Sequence, residues 1–217
     1  LTTGLVARFE LYNTSIGANG ITRVVLFDQP GEGAPLTVQN FRDYVEDGDY
    51  INTLIHRSVP GFVIQGGGFI GDGWAEAIAN NTPSEAISLV PTNPPVQNEF
   101  SSDRSNLRGT IAMAKLPNQP NSATSQWFFN LADNTDLDTS NGGFTVFGKV
   151  MSAVDMEAVD EIAALPRFNA VNYFQQGAFT DLPLVDFNPQ NVANSSDANF
   201  VRYRSITIDA VDELTFQ

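Results

Sequence analysis

Apolar and polar positions alternate along "LVARFELY" (5–12) and again along "ITRVVLFD" (21–28), and the "NTSIGANG" between them consists of turn-forming residues. Alternation puts one set of side chains on a buried face and the other in water, so the two stretches are expected to pair as a hairpin. The period then changes. In "PLTVQNFRDYVEDGDY" (35–50), Val38, Phe41 and Val45 recur at helical spacing, with Thr37 as the expected N-cap and Gly48 as the stop. Short strand-like runs follow at 53–57, 61–65, 109–113, 126–131 and 144–150. A second helix is expected near 153–164, with Val154, Val159 and Ile162 facing inward and Pro166 ending it. "FVRYRSITIDAV" (200–211) reads as a last strand.

Many short strands, two helices and frequent Gly and Pro turns predict a mainly β fold: an antiparallel β-barrel, closed or nearly so. Segments 71–98 and 167–199 do not fit a compact list of elements. Rich in Asn, Pro and Gly, they are expected to be long surface loops, insertions on one domain spanning 1–217.

Composition narrows the function. The 42% hydrophobic content of 217 residues is ample for a core. No apolar run approaches the roughly 20 residues of a membrane helix, so membrane insertion is not expected. A formal charge of −14, with Lys115 and Lys149 the only lysines, argues against nucleic acid, whose phosphates require a basic footprint. The absence of cysteine removes disulfides, thiol catalysis and thiolate metal sites. "LTTGLVARFELY" lacks the basic start and apolar core of a signal peptide and is compatible with a mature end left by processing.

Candidate chemistry concentrates in "HRSVPGFVIQGGGF" (56–69), where Arg57 stands among apolar residues. His56, the single histidine, has no Gly-x-Ser-x-Gly elbow to partner it and is expected to be structural. "GGG" (66–68) is not followed by Gly-Lys-Ser/Thr, so a tight barrel turn is expected there rather than a phosphate loop. "DNTDLDTSNGG" (133–143) misses the Gly and Glu of a calcium loop, and no metal is expected. Taken alone, Arg57 is equally a strand-edge arginine paired with a carboxylate, and Phe62 and Phe128 are ordinary core residues.

Four blocks change that balance: "HRSVPGFVIQGGGF", "GTIAMAK" (109–115), "NSATSQWFFNLADN" (121–134) with "LD" (137–138), and "FTVFGKVM" (144–151). Their order and approximate spacing resemble the cyclophilins, peptidyl-prolyl cis–trans isomerases, over about residues 5–165 and the final strand. "ALPRFNAVNYFQQGAFTDLPL" (164–184) resembles the tail of bacterial, exported members. The resemblance implies a closed eight-stranded antiparallel barrel capped by two α-helices, with a peptide groove on its outer face. By position it makes Arg57 the catalytic arginine, with Phe62 and Gln65 beside it. Phe62, Val63, Phe128 and Leu137 match proline-pocket walls, and Gln65, Ala114, Lys115 and Gln126 match groove residues; Phe144 completes the substrate-binding set.

Three positions depart from the family pattern. Val63 stands where methionine is common, Asp136 where many members have Trp or Phe before "LD", and Phe144 where many eukaryotic members have His. Asp136 puts a charge at the rim, and cyclosporin is expected to bind weakly. The resemblance implies a monomer without cofactor that accelerates X-Pro rotation in proline-containing peptides and in unfolded or folding proteins. A bacterial periplasmic or secreted setting is expected. The alternatives are a cyclophilin-fold peptide-binding or chaperone module with little turnover, and a surface-associated β protein.

Overall fold

The structure, a computed structural model, describes residues 4–211, so the ends of the expected 1–217 domain lie outside the described residues. In chain order the elements are β1 (Gly4–Leu11), β2 (Ile21–Leu26), α1 (Pro35–Glu46), β3 (Thr53–Val59), β4 (Val63–Gly71), α2 (Trp74–Ala79), β5 (Ile87–Leu89), β6 (Thr110–Met113), β7 (Trp127–Asn130), β8 (Val146–Val150), α3 (Ala153–Ala164), β9 (Arg167–Phe168), α4 (Val171–Phe174), β10 (Leu182–Pro183) and β11 (Tyr203–Val211). Nine strands form one antiparallel sheet, eight of them in the order β11-β1-β2-β8-β6-β7-β4-β3 and the short β5 paired with the end of β4. The sheet curls until its outer strands meet through the Leu54–Arg202 bridge and the bonds Asn52 N–H to Tyr203 O (2.9 Å) and Ile55 N–H to Val201 O (3.0 Å). This is the expected eight-stranded barrel.

Inward residues of alternating strands fill the barrel. Phe9 of β1 packs edge-on against Trp127, Phe129 and Tyr203 at centroid distances of 5.2–5.6 Å, and α1 adds Phe41, stacked on Phe9 at 5.8 Å. Each such ring contributes roughly 1.5–3 kcal/mol by leaving water. The helix α1 does not use Thr37 as its N-cap. Pro35 opens it, preset in φ and lacking the N–H that would be unpaired there. The Glu99 carboxylate, 62 residues along, accepts from Thr37 N–H (2.7 Å), Thr37 Oγ1 (2.8 Å) and Leu36 N–H (3.1 Å). A carboxylate at a helix start also suits the positive end of the helix dipole. Gly48 stops the helix at φ +77°, as expected.

In α3, Val159 and Ile162 are buried but Val154 is 52% exposed, against expectation: the Ser152 cap fixes the first turn with Val154 outward. Segments 71–98 and 167–199 are also not plain surface loops. They fold into α2, β5, β9, α4 and β10 and enclose a second apolar cluster. Trp74, fully buried, stacks on Phe200 at 4.5 Å and meets Phe174 edge-on at 5.2 Å. Aromatic residues spaced irregularly among Asn and Pro carry no period, yet each ring buries a large apolar area.

Candidate active site

One rung crosses five strands. Arg57 on β3 is opposite Gln65 on β4, Gln65 opposite Phe128 on β7, Phe128 opposite Ala112 on β6, and Ala112 opposite Val146 on β8. Residues opposite one another on antiparallel strands project from the same face. Their neighbours Ile64, Phe129, Ile111 and Phe147 belong to the barrel core, so the rung is on the outer face.

Around it lies an apolar cluster separate from the core. Val63, Ala112, Phe128 and Val146 are buried, and Phe27, Phe62, Ala114, Leu137 and Phe144 pack against them half-buried. The rings of Phe128 and Phe144 meet edge to face at 5.8 Å. The four expected pocket walls, Phe62, Val63, Phe128 and Leu137, are in this socket, and so is Phe144, expected as a substrate-binding residue. Ala112, Val146 and Phe27 complete it and were not anticipated, although Ala112 is two residues before Ala114 and Val146 two after Phe144, the period of a strand face.

Arg57 is half-buried at the end of the rung. Among the described residues only Arg57 and the exposed Arg167, of the nine arginines, make no hydrogen bond or ion pair. The others pair with carboxylates or, for Arg104, with three backbone carbonyls. The strand-edge pairing that composition alone allowed does not occur there. Gln65 donates through Nε2 to Gln126 Oε1 (2.8 Å). These two amides, with Ala114 and Lys115, line a cavity of about 320 Å³ that also includes Thr92 and Pro95 of the 71–98 segment. The "GGG" run is not a turn. It lies inside β4, where Gly67 has φ +75° and a Cβ on Gly68 would stand 2.6 Å from Gln126 Cδ, so the glycines let the Gln126 side chain cross the strand.

Lys115 borders the cavity, but its ammonium is turned away. Nζ donates to the carbonyls of Asn141 (2.8 Å) and Gly143 (2.6 Å) and lies 4.6 Å from the centre of the Phe144 ring. Burial holds its pKa below the ordinary lysine value. Asp136 is exposed on the turn 135–138. His56, next to Arg57, points the other way and is 1% exposed, edge-on to Phe69 at 4.8 Å and 6.4 Å from Phe179. Burial, and secondarily the Arg57 charge, lower its pKa to about 3. A neutral histidine walled in by rings is structural, as expected.

A larger cavity, about 660 Å³, is elsewhere: it takes in Asp28, Glu32, Asp103 and Leu107 and shares only Phe27 and Val146 with the socket. Chemistry rather than size therefore marks the site. A free guanidinium beside an apolar socket, with two amides within reach, has no nucleophile or base. It can grip an apolar ring and favour a charge distribution.

The profile described as "Cyclophilin type peptidyl-prolyl cis-trans isomerase/CLD" matches residues 14–180. The chain is 39% identical to peptidyl-prolyl cis-trans isomerase A of Dickeya dadantii over 178 residues, 77% of this chain and 85% of that protein. It is 35% identical to peptidyl-prolyl cis-trans isomerase B of Escherichia coli, covering 75% and 88%. The fold superposes on a cyclophilin-type isomerase from Cryptosporidium parvum with a TM-score of 0.60 at 20% identity, over 94% of this chain and 98% of that one. With the barrel, the socket and these relatives in agreement, the chain belongs to the cyclophilin family and is a peptidyl-prolyl cis–trans isomerase.

Proposed function

We propose that Arg57 is the catalytic donor of this isomerase, that the socket of Phe62, Val63, Phe128, Leu137 and Phe144 holds the proline ring, and that Gln65, Gln126 and Ala114 line the path of the peptide. The observation that carries the reading is the rung itself, which sets an unpaired guanidinium on the same face as, and beside, an apolar cluster.

Rotation about an X-Pro bond meets a barrier of about 18–20 kcal/mol because the nitrogen lone pair is delocalised into the carbonyl. Nothing covalent forms or breaks. In the twisted state the lone pair localises and the nitrogen becomes a better acceptor. A permanently charged, directed N–H group beside that nitrogen favours the twisted state over both planar ones. The socket keeps the ring still while the preceding carbonyl swings, and the Gln65 amide is placed to bond that carbonyl. Lowering the barrier by about 7 kcal/mol corresponds to roughly 10⁵-fold.

The isomerase acts on proline-containing peptides, and the Cryptosporidium relative was crystallised in the presence of the dipeptide Ala-Pro. We assign this chain the same small residue before proline, and unfolded or folding proteins as its clients, met as a monomer outside the cytoplasm. The −14 charge and the exported style of the 164–184 tail support that location. The exposed Asp136 at the rim supports weak cyclosporin binding. NMR exchange on an Ala-Pro peptide tests the reading. Enhanced cis–trans exchange with broadening of the Phe128 and Phe144 rings is expected; binding without enhanced exchange would make the protein a peptide-binding module instead. Fractionation of cells producing the natural full-length protein tests location, and recovery in the cytoplasm would overturn it.

A further inference from the structure

The walls of the socket differ in how they are held. Val63, Ala112, Phe128 and Val146 lie on strands and are fixed by ladder bonds. Phe62, Leu137 and Phe144 do not: Phe62 sits in the turn joining β3 to β4, Leu137 in the turn 135–138, and Phe144 before β8 begins. Something else must hold these three.

A line of side-chain amides does so. Asn134 Nδ2 donates to the Phe62 carbonyl (2.9 Å) and to Asn130 Oδ1 (2.8 Å). Asn130 Nδ2 donates to Asn106 Oδ1 (3.2 Å) and Thr110 Oγ1 (2.9 Å). Asn106 Nδ2 donates to the Phe144 carbonyl (3.1 Å) and Asp138 Oδ1 (2.8 Å). Each NH₂ group thus uses both protons, and the Oδ1 atoms of Asn130 and Asn106 each accept from the preceding amide. The orientation of every link is therefore fixed by its neighbours. Asn106 and Asn130 are fully buried. Leu137 is held between the ends of the line, donating its N–H to Asn134 O (2.9 Å) and accepting from Phe144 N–H (3.1 Å). Asp138 terminates it, also bound by Ser105 Oγ and by Asn106 N–H (2.9 Å).

We propose that Asn134, Asn130 and Asn106 are positioning residues of the isomerase, a single hydrogen-bonded line that sets the spacing between the loop-borne walls Phe62, Leu137 and Phe144 and so the fit of the proline ring. They touch no substrate and act through the backbone of the walls. This rests on the assignment of the socket made above.

Asn134→Asp is nearly isosteric but replaces the donor to the Phe62 carbonyl with a charged acceptor. KM for an Ala-Pro peptide is expected to rise about tenfold, with kcat changed less, since Arg57 is untouched. Lowering the pH toward the carboxyl range restores a proton at that position, so the KM ratio to the unmodified protein should shrink. Thr110→Val removes only a side branch of the line. It is expected to lower thermal stability and leave KM unchanged. Should Asn134→Asp not fold, Asn134→Ala and the unmodified protein serve: the side-chain amide resonances of all three asparagines should shift on saturation with peptide. Normal KM in a folded Asn134 variant, a KM ratio independent of pH, or asparagine amides indifferent to peptide overturns the proposal. Full activity in Arg57→Ala would instead overturn the site assignment on which it rests, so the two failures are separate.

Discussion

In Arg57→Ala the guanidinium leaves a position where it holds no described partner, so no buried acceptor is orphaned by its loss. Its stem is half-buried on the outer face, and truncation is expected to cost no more than about 1 kcal/mol of stability. Catalysis is expected to move much further. A preorganised donor aimed at developing charge is worth about 2.7–4 kcal/mol, and in the proposed mechanism this one meets its acceptor only when the proline nitrogen has left the amide plane. The fall in kcat/KM is then about 10²–10³-fold. Most of it should fall on kcat, because the socket that grips the ring is intact. Arg57→Lys keeps the charge but loses the planar fork, and should lie between the two. Exchange NMR on an Ala-Pro peptide measures the rate, and urea unfolding of the same sample measures stability. Unchanged kcat/KM would refute the mechanism. A loss of activity matched by a collapse of the urea midpoint would show that Arg57 serves the fold instead.

Gly68→Ala places a Cβ 2.6 Å from Gln126 Cδ. The side chain must turn aside and break its 2.8 Å bond with Gln65, and kcat/KM should fall about tenfold with the fold kept, checked by the same exchange assay. His56 has a folded pKa of about 3 against an ordinary 6.5, so between those values the unfolded chain binds the extra proton and stability declines as pH falls. His56→Phe keeps ring contact with Phe69 and Phe179 and should flatten the dependence of the urea midpoint on pH between 6.5 and 4; an unchanged slope would show that His56 is not its source. Titration calorimetry should find weak cyclosporin binding, tightened by at least about tenfold in Asp136→Trp, where a ring replaces a charge that must be desolvated. A tight complex with the unmodified protein would contradict this.

The barrel was legible because its strands obey simple periods, and the four motif blocks fall on the rung and its borders. The errors have physical causes. Thr37 was a reasonable cap by residue type, but Glu99, far along the chain, fills that role, and local spacing cannot reveal a partner 62 residues away. Val154 fits a helical stripe, yet the Ser152 cap turns it to water. The Asn- and Pro-rich segments look like loops in the sequence because their large aromatic residues follow no period, while in space Trp74, Phe174 and Phe200 converge. Lys115 does border the cavity with Gln65, Ala114 and Gln126, as its motif position suggests; what its spacing does not show is that the carbonyls of Asn141 and Gly143 take its ammonium. The asparagine line beneath the walls was invisible for the same reason: its members are spread from 106 to 134 and look like loop residues until the chain folds.

Successive residues of β3 serve two different structures, with Arg57 on the outer face that carries the socket and His56 turned to the rings of the added lobe. The extra segments therefore shield the back of β3 from water. A version trimmed of residues 167–199 would uncover that imidazole, let it take up a proton near neutrality, and set a second cation directly beside the first. In the shortened enzyme mild acid would place that second charge beside Arg57, whereas in the intact one the imidazole stays neutral down to about pH 3.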